Sequence, residues 1–116
     1  LELEHEAMGT MLQLRLGLLA RGNDSKEQLL LLEESASTIM VIFRALLRLS
    51  GEEPPRENQP LVRQAAGKVG FDPAPFIAVL RHKQGEEAIR AADAPRILQG
   101  YLAGVGQLVT YLDRAT

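Results

Sequence analysis

The sequence predicts an all-α fold, and three observations carry that prediction. Leu occurs 20 times against 11 for Val and Ile together, a balance that favours helix because β-branched side chains lose rotamer freedom there. No stretch alternates apolar and polar residues long enough to make a half-buried strand. Long segments instead repeat apolar residues three and four apart, between Gly and Pro punctuation. The expected architecture is an antiparallel up-and-down helical bundle of three long helices plus a short helical pair, with residues 1–116 as one domain.

The first helix is expected from Glu2 to Arg21, closed by Gly22, the usual left-handed stop. Ala7, Met11, Leu14 and Leu18 form its main apolar stripe, with Met8, Leu12 and Leu19 beside it. The second helix opens with Asp24 or Ser25 as cap, and Ser25 with Gln28 fits a capping box. Leu29, Leu32, Ala36, Ile39, Phe43 and Leu46 then make a heptad seam, so this helix is the expected central pillar. Gly51 stops it and Pro54-Pro55 block a restart.

A polar connection over 51–59 leads to a short helix from Pro60 to Val69, ended by Gly70. Asp72 is a good cap for a fourth helix, Pro73 to Lys83, with Pro73 at its first position; Phe76, Ile77, Val79 and Leu80 are its core residues. Asp93 is the expected cap of the last helix, whose stripe is Leu98, Leu102, Val105, Val109 and Leu112, with Ile97, Tyr101 and Leu108 alongside. Gly100 and Gly104 share one face of it, where close approach of another helix is the favoured reason over a gap that admits a ligand or is simply tolerated. No internal repeat is present.

Composition narrows function by exclusion. A chain of 116 residues with 24% charged residues and a formal net charge of -2 has no global basic field, so nucleic acid is not an expected partner. The absence of cysteine excludes disulfides, thiolate metal sites and cysteine nucleophiles. Apolar runs such as Ile39 to Phe43 are far short of the roughly 18 residues of a membrane span, so no membrane partner is expected. The start at Leu1, without an initiator Met or a signal-peptide pattern, reads as a segment cut from something longer. The expected location is cytoplasmic.

The residues able to carry chemistry are few. Glu2 and His5 form a lone Glu-x-x-His, whereas a di-iron bundle needs two such units; no metal and no cofactor are expected. No phosphate-binding Gly loop and no nucleophile elbow occur. Arg44 and Arg48, one turn apart, could grip an anion or carboxylates, or simply mark the solvent edge where cations favour a helix C-terminus. Arg81 and His82, followed by Lys83, end the fourth helix, where the same dipole explains them; a ribonuclease or nucleotide role would need a patch reaching them from another helix. Arg44, Arg48, Arg81 and His82 are thus the candidate ligand-binding residues, and no residue is a candidate catalyst.

The pattern His5-Glu6-x-x-Gly9-x-x-Leu12-x-Leu14-Arg15, then Phe43 through Leu49 with Gly51-Glu52-x-Pro54-Pro55, then Gly70-Phe71-Asp72-x-Ala74-Pro75-Phe76, resembles the helical C-terminal region of bacterial nucleotidyltransferase-domain proteins. It is similar also to the C-terminal bundles of aminoglycoside nucleotidyltransferases and to HEPN helical domains. In those proteins a polymerase-β-like core precedes the bundle. The Gly-Ser and paired Asp signature of that core is absent here. So is the HEPN Arg-then-His motif, since no Arg stands at the needed distance before His5 or His82. The resemblance therefore implies a non-catalytic accessory or substrate-binding domain whose partner is an upstream nucleotidyltransferase core. The alternative is a homodimeric helical interaction module with no small-molecule role. Apolar residues in excess of one face per helix lead to the expectation of a homodimer built from the first, second or fifth helix, with Arg44 and Arg48 near its rim.

Overall fold

A computed structural model describes residues 2–115; the expectation about the start at Leu1 lies outside them. Five α-helices and one short 3-10 turn make up the fold, with no strand among the described residues: α1 (Glu2–Arg21), α2 (Ser25–Leu49), α3 (Asn58–Val69), α4 (Ala74–Gln84) and α5 (Ala94–Ala115), the turn being Ala91–Asp93.

At about 1.5 Å per residue, the 25 residues of α2 span nearly the whole 39 Å long axis of the molecule. Every other helix packs on α2. Its heptad seam is buried throughout, with Leu32, Ile39 and Phe43 fully enclosed. The central pillar is therefore legible in spacing alone, because a helix surrounded on several sides must be apolar on several sides.

Local chemistry sets the boundaries. Asp24, not Ser25, caps α2: its carboxylate accepts from the backbone N–H of Lys26 at 3.0 Å and of Glu27 at 3.4 Å. Gln28 does not close a capping box on Ser25 but donates from Nε2 to the Gly22 carbonyl at 2.9 Å, tying the α1–α2 turn. Helix α3 begins at Asn58, ahead of the expected Pro60. Proline is tolerated in a first turn, where backbone N–H groups lack helical partners anyway. The Asp72 carboxylate accepts from the Ala74 N–H at 3.0 Å, and Pro73 has helical dihedrals, so capping there follows the sequence. At the start of α5 the chain first makes a 3-10 turn, and the Asp93 carboxylate meets the Arg96 guanidinium at 3.6 Å.

All three Phe residues and Tyr101 meet in one cluster where α2, α4 and α5 converge. Phe43 stacks on Phe71 with centroids 5.3 Å apart, and Phe76 lies edge-on to Phe43 at 5.6 Å and against Tyr101 at 4.5 Å. Gly100 and Gly104 make this possible. A Cβ at Gly100 would come within 2.6 Å of the Pro75 ring, and one at Gly104 would collide with Phe76. This docking also rotates α5 from its expected orientation. Its deepest stripe is Ile97, Tyr101, Gly104, Val105, Leu108 and Leu112, while Leu98, Leu102 and Val109 are only partly buried.

Candidate functional site

The four cationic candidates do not converge. Arg44 is a strut: its guanidinium donates to the Arg56 carbonyl and to Asn58 Oδ1, both at 2.9 Å, fastening the polar connection and the start of α3 to α2. Arg48 is exposed in the last turn of α2. Arg81 approaches Glu87 at 3.7 Å across the turn after α4. His82 accepts the Ile89 N–H at Nδ1, 3.0 Å away, and turns Nε2 toward the Glu33 carboxylate at 3.8 Å. The Arg44, Arg81 and His82 Nδ1 contacts tie loops to the bundle, and the His82–Glu33 contact joins α4 to α2.

A depression of about 400 Å³ between α2 and α4 is lined by Ser37, Met40, Arg44, Asn58, Leu80 and Lys83. It holds Arg44 but none of the other three candidates. Lys83 faces it in their place, donating to Ser37 Oγ at 3.1 Å. Two cations beside small polar groups could receive an anion, but Arg44 already spends two donors within the chain.

A larger concave surface lies elsewhere, between α1 and α5. This groove of about 900 Å³ is lined chiefly by Met8, Met11, Leu12, Val69, Val109 and Tyr111, with Arg15 and Arg114 also contributing. It continues onto a ridge of exposed apolar side chains: Met8, Leu12, Leu16 and Leu19 are each more than half exposed, Leu19 at 80%. The core face of α1 is Leu3, Ala7, Thr10 and Leu14. At about 100° per residue the exposed four stand on the opposite side. Helix α1 is thus apolar on two faces, and the fold buries one.

Site reasoning from charge passed over this surface. Its signal was present in the second stripe of Met8, Leu12 and Leu19, and an apolar patch is as informative as a charged one when nothing in the chain covers it.

One polar site in the core and one at the surface complete the electrostatics. Burial pushes the Tyr101 hydroxyl up to about 12; it shares a 2.8 Å hydrogen bond with Ser35, whose own hydroxyl donates to the Leu32 carbonyl. Glu52 and Lys68 pair at 2.7 Å. The hydrogen bond from Lys68, aided by Gln64, lowers the Glu52 carboxyl, and the same contact raises the Lys68 ammonium. Among the described residues no group of three or more His, Asp or Glu is placed to hold a metal ion, and no helix is long and apolar enough to cross a membrane. No protein-family model, curated protein or solved structure matches the chain.

Proposed function

We propose that this chain is a non-catalytic helical accessory domain that works by docking to protein, through the outer face of α1 and the adjoining α1–α5 groove. The observation that carries the reading is the row of Met8, Leu12, Leu16 and Leu19, exposed on the side of α1 opposite its core face. Four large apolar side chains in register along one helix are costly to leave in water, at roughly 25 cal/mol per Å². Surfaces of that kind mark interfaces. The substrate-binding half of the accessory reading has weaker support, because Arg44, Arg81 and His82 are engaged within the chain.

The resemblance to nucleotidyltransferase-associated bundles supplies a setting: a cytoplasmic domain whose apolar face packs on a catalytic core or on another bundle. We read the helices accordingly as an up-and-down bundle, with α1, α2 and α5 as long columns and α3 with α4 as the fourth. Contacts of Gly17 with Leu31, Arg21 with Glu27, and Lys83 with Ser37 support that arrangement.

The test is a photo-activated cross-linking amino acid placed in living cells at Leu12, with the same group at Arg90, in the exposed turn before α5, as reference. Discrete protein adducts from position 12 and none from position 90 are expected. Absence of adducts at position 12 would refute docking through this face.

A further inference from the structure

We propose that the partner of this face is a second copy of the chain, with α1 packing against α1 across a two-fold axis near Leu12 and the two helices running in opposite directions. The proposal rests on the docking reading above and adds the occupant and its geometry.

The stripe is self-complementary. A two-fold axis at Leu12 sets each residue opposite the one equally far on the other side of position 12. Met8 then faces the second copy's Leu16, Leu12 faces itself, and His5 faces Leu19. All five are exposed. This is the isologous pattern that closed dimers require. From Met8 to Leu19 the ridge is about 16 Å long. Alone it is small for a stable interface, which takes about 800 Å² per partner, but Met8 and Leu12 also line the α1–α5 groove, so the apolar surface continues across it.

Charge agrees with the opposed direction. The first two turns of α1 carry Glu2, Glu4 and Glu6, while its second half carries Arg15; Arg21 is spent on Glu27 and Glu34 of its own α2. Opposed helices bring the acidic start of each toward the half of the other that carries Arg15, and they also oppose their dipoles. A parallel pairing would set like charges together.

Gly9 is the third observation. It sits inside α1, where a glycine costs up to about 1 kcal/mol relative to Ala, yet a Cβ there would meet nothing within 4 Å. Gly17, Gly100 and Gly104 each accept a neighbouring side chain of their own chain. Gly67, which also opens on space, is in the last turn of α3. Gly9 borders the exposed stripe beside Met8 and Leu12, and a facing helix gives it the purpose that its own chain does not.

The chain contains no cysteine, so single cysteines report geometry directly. Leu12→Cys, oxidised with copper–phenanthroline, is expected to form a disulfide-linked dimer more than about tenfold faster than Val41→Cys, an equally exposed position on α2. Equal rates, or none, would overturn self-pairing. Gly9→Ala separates a packing role from a folding role. It should leave the melting temperature unchanged or higher, because the site is open, yet slow the Leu12→Cys cross-link; an unchanged rate contradicts close approach at Gly9. If position 12 yields photo-adducts in cells only with a different protein and Leu12→Cys fails to self-link, self-pairing is refuted while docking stands. If no adduct forms at all, both are refuted.

Discussion

Tyr101 joins the aromatic cluster to a hydrogen-bond chain through Ser35 to the Leu32 carbonyl, and that position makes its titration a probe of folding. The unfolded hydroxyl ionises near 10, the folded one near 12. Above the lower value the unfolded chain sheds a proton that the folded chain keeps, so stability holds below it and falls as pH rises toward the upper value. The loss should reach about 2–3 kcal/mol, measured by denaturant unfolding at pH 9 and pH 12. Tyr101→Phe should flatten that slope relative to wild type, at a cost of about 1 kcal/mol at neutral pH from the lost hydrogen bond. A slope unchanged by the substitution would contradict the buried placement. At the same cluster, Phe43→Ala should cost about 3–5 kcal/mol, because a fully enclosed ring leaves a cavity. Gly104→Ala should destabilise by about 1–3 kcal/mol through overpacking against Phe76.

The helices differ in how openly the sequence declares them. In α2 the heptad seam, the stop at Gly51 and the pair Pro54-Pro55 all agree, and the helix runs as spacing predicts. Helix α5 has apolar residues on two adjacent stripes, and periodicity alone does not say which faces inward. The choice depends on Gly100 and Gly104, which let α4 approach and turn Tyr101 into the core. Partners distant in sequence decide it, so a local reading settles on the neighbouring stripe. The same limit explains the cationic candidates: Arg44 and His82 have the residue types of a binding site, but their backbone partners, the Arg56 carbonyl and the Ile89 N–H, lie in loops whose course no spacing rule gives. Arg44→Met should accordingly loosen the connection over 51–57. Its amides should exchange faster with solvent, and stability should fall by about 1 kcal/mol. Arg44→Lys should rescue this only in part, since an ammonium lacks the guanidinium fork. Unchanged exchange in Arg44→Met would remove the strut role.

For the molecule as a whole, composition correctly placed it among helical domains, and the excess of apolar residues over core positions foretold an uncovered surface. Which surface remains uncovered depends on packing: α1 could have buried either of its apolar faces, and the one bearing Leu3, Ala7 and Leu14 is against α2 and α5. The outer face is therefore left uncovered by the fold. The most direct measurement is molar mass by light scattering across a concentration series, for wild type and for the double variant Leu12→Glu, Leu16→Glu. Wild type is expected to approach twice the 12.7 kDa of one chain with rising concentration, while the variant stays near 12.7 kDa with an unchanged helical spectrum. Wild type at the single-chain mass throughout, or a variant that associates as wild type does, would contradict self-pairing.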